Sequence, residues 1–176
     1  MMPRGRTLAV LALLAFMVGC MVWGWDPRVQ TLAQVWERTT WGRIWGATAY
    51  WVGHGGVQVA AMLSLAAWAQ LRHHPQTRRL ALVSLAAFAV SGLAAQAIKF
   101  MAGRARPALA DATWDLMHFT LAGRMDSFPS GHAATSFALA AVWAGRYPKA
   151  APFCYGLAIM VALGRVVGGS HFPSDV

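Results

Sequence analysis

Three polar islands interrupt an otherwise oily chain, and each carries side chains that a lipid bilayer excludes. They are Lys99 through Arg106-Pro107, then Pro129-Ser130-Gly131-His132, then Arg165 through His171 to Asp175. Ionisable residues among membrane segments are costly and by default mark a functional site. Their motif positions, Lys99, Arg106, Arg165, His132, His171 and Asp175, supply three fixed positive charges, two imidazoles and one carboxylate. That inventory suits holding a phosphate group and breaking one of its ester bonds.

Each island has its own physical content. Lys99 precedes Arg106 by seven positions, with Gly103 and Pro107 bending the link. Arginine offers a planar fork that matches phosphate oxygens, and lysine a compact charge on a flexible stem. A basic cluster touching anionic headgroups has the same composition. In the second island Pro129 ends a loop, Ser130 is a good N-cap, and Gly131 leaves the amides of a helix start unobstructed. A helix N-terminus with free donors attracts anions, and His132 in its first turn is placed to deliver a proton, or else to cap the helix or face headgroups. In the third, Asp175 lies four residues beyond His171, within reach of its Nδ1 proton in a helix or a tight loop, while Pro173 argues against an undisturbed helix. A carboxylate so placed fixes the tautomer and orientation of an imidazole.

Around the islands the chain is built for lipid. It has 176 residues, 57% hydrophobic and 12% charged, against about 25% charged in soluble domains. Apolar runs of roughly bilayer-crossing length occupy 7–23, 55–71, 80–98, 133–147 and 150–169. The fourth is short, and its Thr135 and Ser136 predict contact with protein on one side. Plentiful small residues, as in Ser91-Gly92-Leu93-Ala94-Ala95, favour closely packed helices. The expected fold is therefore all-α, a polytopic transmembrane bundle forming a single domain over 1–176. Run 7–23 is expected to be a retained helix rather than a signal peptide, although Val18-Gly19-Cys20 resembles the end of a lipoprotein cleavage box. Residues 25–53, with Trp36, Trp41, Trp45, Tyr50 and Trp51 among arginines, read as an interfacial aromatic segment, or equally as aromatic packing over the helix tops. If Arg4, Arg6, Arg72, Arg78, Arg79, Arg146 and Lys149 face the cytoplasm, alternating helices bring all three islands to the outer face. The net charge of +9 does not point to nucleic acid, because the cations are scattered rather than arrayed in a stripe. Cys20 and Cys154 both lie in apolar runs, which supports neither a disulfide nor a zinc site.

Taken in order, Lys-x6-Arg-Pro, Pro-Ser-Gly-His and Arg-x5-His-x3-Asp resemble the motifs of the type 2 phosphatidic acid phosphatase (PAP2) superfamily. The resemblance covers roughly Lys99 to Asp175, with Gly164 standing where the third motif usually begins with serine. It implies His171 as nucleophile forming a phosphohistidine, Asp175 orienting it, and His132 protonating the leaving oxygen and then helping to activate water. Lys99, Arg106, Arg165, Ser130 and the Gly131 amide are implied to hold the phosphoryl oxygens. The family usually has six crossing helices, so a sixth span is expected after the third motif and is absent from a chain ending at Val176. With no Asp/Glu cluster for magnesium in the islands, neither metal nor other cofactor is expected. The implied activity is that of an integral membrane lipid phosphatase at the periplasmic or exterior face of a bacterial inner membrane. The candidate substrates are phosphatidic acid, phosphatidylglycerol phosphate, undecaprenyl diphosphate and the phosphates of lipid A. Transfer of phosphate to a second lipid would use the same residues. A silent lipid-binding or transport component would need only the cations, not His132, His171 and Asp175. The expected partners are the phosphorylated lipid and the membrane, not nucleic acid, with the oligomeric state left open. The loop 108–128, with His118, Phe119 and Arg124, is a candidate specificity element.

Overall fold

The computed structural model describes residues 24–109 and 125–176, together with positions 15, 16 and 19. Run 7–23 and most of the loop bearing His118, Phe119 and Arg124 lie outside the described residues.

Over the described residues from 24 onward, six α-helices follow in chain order: α1 Trp25–Glu37, α2 Thr40–Gly53, α3 Gly55–Leu71, α4 Pro75–Ala102, α5 Gly131–Arg146 and α6 Ala151–Val167. Single 3₁₀ turns occupy Pro148–Ala150 and Pro173–Asp175. Local chemistry sets the boundaries. Thr39 caps α2 by accepting from the Gly42 amide at 3.0 Å, and Pro75 opens α4 where its missing N–H costs no bond. Gly103 closes α4 in the left-handed conformation at φ 53°, donating its amide to the Lys99 carbonyl at 2.9 Å.

The expected apolar runs reappear as α3, α4, α5 and α6 with ends shifted by a few residues, five in the case of Pro75. Among the described residues two segments, Pro75–Ala102 and Pro148–Val167, are long and apolar enough to cross a membrane, and α3 is a shorter apolar helix. At about 1.5 Å per residue, the 28 residues of α4 exceed a ~30 Å hydrocarbon layer. The packing is that of a bundle in lipid. Alanines fill the interior, among them Ala81, Ala133, Ala140 and Ala158, while Leu71, Leu93 and Phe153 stand outward at 79%, 72% and 74% exposed. Small side chains let helices approach where lipid, not water, is the solvent.

Helices α3 to α6 pack in sequence, α4 on α3, α5 on α4 and α6 on α5, while α2 packs against α6. Thr135 and Ser136 are both buried on α5; Ser136 accepts from Gln58 Nε2 of α3 at 2.9 Å, the protein contact their polarity predicted. At one end of the bundle Arg146 Nη2 donates to Gln76 at 3.1 Å, joining the foot of α5 to the start of α4. The opposite end gathers the close of α2, α4 and α6 and the start of α5.

The aromatic segment is two helices rather than one, broken at Arg38-Thr39. Trp41 and Trp51 are exposed at 75% and 60%. The segment also packs inward, with Trp45 set edge-on to Trp36 at 4.8 Å and its Nε1 donating to the Met160 carbonyl of α6 at 3.1 Å.

Candidate active site

The three islands meet at the end of the bundle opposite Gln76 and Arg146. Lys99, on the last turn of α4, donates to the Asp126 carbonyl at 2.7 Å and stands 3.5 Å from its carboxylate. Arg106, in the loop beyond, binds the same carboxylate with two parallel bonds, Nε at 2.8 Å and Nη2 at 2.9 Å. These bonds, with burial opposing them, pull the Asp126 pKa down to about 2. Arg106 and Lys99 are thus drawn together by an anion that the motif does not contain.

Ser130 caps α5, its Oγ accepting from the Ala133 amide at 3.4 Å. A Cβ placed on Gly131 would meet nothing within 4 Å, so the first turn of α5 opens onto free space. His132 and Arg165 share one neighbour, Tyr50 of α2. The rings of Tyr50 and His132 lie 5.6 Å apart, and the Arg165 guanidinium sits 5.4 Å over the Tyr50 ring. His132 lies within electrostatic range of Arg165, His171, His54 and Lys99. Among the described residues, His132 Nε2 and Arg165 Nε are buried without a hydrogen-bond partner. Buried polar groups are nearly always paired; Gln30, His54 and Gln58 also carry one such atom each, but His132 Nε2 and Arg165 Nε are the two at motif positions of the cationic cluster, where an anion could satisfy them.

His171 is 2% exposed, and its Nδ1 stands 2.7 Å from the Ser127 carbonyl. A carbonyl only accepts, so Nδ1 carries the proton and Nε2 keeps its lone pair. Burial holds the His171 pKa below the ordinary histidine value, with Asp175 opposing. The imidazole is therefore neutral at neutral pH.

Asp175 was expected to accept that Nδ1 proton. Its Oδ2 lies 3.7 Å from Nδ1, so Ser127 is the nearer acceptor. The reason is competition for the carboxylate. Asp175 takes bonds from Arg104 Nη1, from Ser127 Oγ at 2.6 Å and from the Phe172 amide at 2.7 Å. Burial opposes its ionisation, but His171, Arg104 and Ser127 outweigh burial and hold the carboxyl below its ordinary pKa. The carboxylate anchors both the Ser127 segment and the 171–175 turn, and so places the imidazole from two sides.

Motif reading missed several of these partners. Arg104 is 1% exposed and bridges Asp175 to Asp26 of α1, whose Oδ2 it meets at 2.7 Å; Asp26 also takes bonds from the Ser174 hydroxyl and, at 3.1 Å, its amide. Only the island character of 99–107 hinted at Arg104, and nothing local singled out Asp26 or Tyr50. Gly164, the departure from the third motif, has a structural reason: a Cβ there would come within 2.1 Å of Ala49 Cβ on α2.

Such an all-helical bundle, with small residues inside, large apolar ones outside and a cationic, imidazole-bearing cluster at one end, defines a membrane-type protein with a polar site at its end. The sequence profile of the PAP2 superfamily matches residues 80–176, more than half of the chain. The chain belongs to the PAP2 superfamily. It is 38% identical over 91 residues to a lipid A 1-phosphatase of Rhizobium johnstonii, covering 49% of this chain and 36% of that protein. Identity is 37% over 91 residues to the lipid A 1-phosphatase of Rhizobium etli, covering 49% and 38%. The matched stretch spans little more than a third of those relatives. The crystal structure of a transmembrane PAP2 type phosphatidylglycerolphosphate phosphatase from Bacillus subtilis superposes with a TM-score of 0.68 at 20% identity, over 95% of this chain and 84% of that one. At that identity the likeness is one of fold.

Proposed function

We propose that the chain is a single-domain integral membrane lipid phosphatase that hydrolyses a terminal phosphomonoester or diphosphate through a phosphohistidine intermediate. The observation that carries this reading is the pair of buried, unpartnered atoms, Arg165 Nε and His132 Nε2, in the cluster that also holds neutral His171. A phosphate would complete the set. Its oxygens would accept from Arg165, Lys99, Arg106 and the amides at the start of α5, with Ser130 shaping that turn. Charge stabilisation of this kind supplies most of the catalysis in phosphoryl transfer.

In the first step His171 Nε2 attacks phosphorus, a P–N bond forms and the P–O bond to the lipid breaks. Nδ1 keeps its proton on the Ser127 carbonyl, which spreads the positive charge left on the ring. His132, which takes up a proton once the charge of the bound phosphate offsets the cations around it, gives that proton to the departing oxygen. In the second step a water attacks phosphorus, the now neutral His132 takes its proton, and the P–N bond breaks to release inorganic phosphate. No step requires a metal. The site is assigned to the periplasmic side of a bacterial inner membrane, following the basic loops at the other end of the bundle.

The test is release of free phosphate from a panel of phosphorylated lipids by the full chain in detergent. Lipid A 1-phosphate and phosphatidylglycerol phosphate come first, since the relatives carry those names. His171→Ala should lower turnover by several orders of magnitude, and His132→Ala by about 10²–10⁴-fold, the usual worth of a general acid. Activity should survive excess chelator and be blocked by vanadate. Wild-type rates in both variants would defeat the mechanism, and a strict magnesium requirement would defeat its metal-free form.

A further inference from the structure

We infer that the Asp126 side chain is an internal stand-in for the ligand's anion, holding the Lys99–Arg106 cradle until a phosphate displaces it. The inference rests on reading that cluster as the phosphate cradle, but not on turnover. The fork of Arg106 formed by Nε and Nη2 is the part of a guanidinium that fits two oxygens of one phosphate, and both of its bonds go to Asp126. Lys99 adds its charge to the same carboxylate at 3.5 Å. Two of the three motif cations are thus spent on one side chain, whereas Arg165 Nε has no partner among the described residues.

The backbone is arranged so that the exchange moves little. The Asp126 carbonyl is held by Lys99 Nζ at 2.7 Å. The next residue is pinned three ways: Ser127 N donates to the Arg104 carbonyl at 3.0 Å, its hydroxyl is on Asp175, and its carbonyl is on His171. The Asp126 carboxylate is itself 37% exposed and Arg106 34%. Rotation about the Asp126 side chain would free the fork into reach of a ligand and leave Lys99, Ser127 and His171 in place. A bound phosphate would then regain the two bonds and add charge. The consequence is selectivity by strength. A membrane surface presents monoanionic phosphodiester headgroups at very high local concentration, and inorganic phosphate builds up as product. Every anion must first displace Asp126, so a weakly held one leaves the site empty. Affinity falls by the fraction of time the competent state is open.

The experiment measures binding of inorganic phosphate to the full chain in detergent by calorimetry, which needs no lipid substrate. Asp126→Asn and Asp126→Ala should each bind phosphate roughly tenfold more tightly than the wild type, the order expected for releasing a charge-assisted pair. The gain should vanish in an Arg106→Gln background, because no fork remains to be released. Unchanged or weaker binding in both Asp126 variants would overturn the inference, weaker binding meaning that the carboxylate instead holds the cations in register. Tighter binding with no hydrolysis of any lipid would sink the phosphatase reading and leave the inference standing. Lipid hydrolysis with unaltered phosphate affinity would do the reverse.

Discussion

His171 has one proton on the ring and two nitrogens to carry it, and the choice decides whether the residue can attack. The Ser127 carbonyl at 2.7 Å from Nδ1 makes that choice. Imidazole ¹⁵N spectra of the full chain should show His171 as the Nδ1–H tautomer at neutral pH. With a folded pKa below the ordinary ~6.5, the ring stays neutral as pH falls through that value and protonates only lower. The sign for stability follows. Protonation is less favourable folded than unfolded, so this group weakens the fold as pH drops below ~6.5 rather than supporting it. Titration at or above the ordinary value would contradict the burial argument. Asp126 carries the same sign from a different cause: its folded pKa near 2 lies below the ordinary carboxylate value, so its links to Arg106 and Lys99 are present above that value and lost as pH falls through about 2.

Two glycines set how closely the helices carrying the site approach. A Cβ on Gly53, at the end of α2, would lie 2.5 Å from Val161 Cγ1 and 3.0 Å from His132 Cδ2. Gly53→Ala should therefore shift His132, lowering kcat more than it raises KM. Gly164→Ala would drive Ala49 away at 2.1 Å; overpacking of this kind costs about 1–3 kcal/mol, measurable as a fall in the detergent-solubilised melting temperature. A stability loss is also expected where α1 is tied to the third island. Arg104 and the side chains of Asp26 and Asp175 are essentially fully buried, so Asp26→Asn removes a charge-assisted bond from Arg104 while Asp175 still balances its charge. Losing a hydrogen bond to a charged group costs about 1.5–3 kcal/mol. A melting temperature equal to the wild type would show that α1 does not support the site.

On the scale of the molecule, the bundle has a basic end and a site end. Gln76 and Arg146 meet at the first, Lys99 and Arg106 at the second. Single cysteines replacing Gln76 and Leu109, introduced after removing Cys20 and Cys154, should react with an impermeant thiol reagent from opposite sides of the membrane. Leu109 is expected to be the one reached from the periplasm in intact cells. Labelling of both from one side would invalidate the crossing topology and the outward-facing site together.

The bundle, its small-residue interior and the motif positions were legible along the chain. Hydropathy runs long enough to span a bilayer declare α3 to α6, and Ser130, Gly131 and His132 announce the start of α5 by residue type alone. Even Thr135 and Ser136 foretold a protein-facing side of that helix. Other features arose only when distant segments met. The acceptor for His171 is a backbone carbonyl, which every residue has, so no letter at position 127 could identify it. Arg104 gained partners 78 residues before it and 71 after it. Tyr50 came to His132 and Arg165 because Gly53 and Gly164 let α2 close on its neighbours. Spacing along one strand of chain specifies which groups can share a turn; which groups share a site, and which carboxylate reaches a cation first, depends on how helices pack.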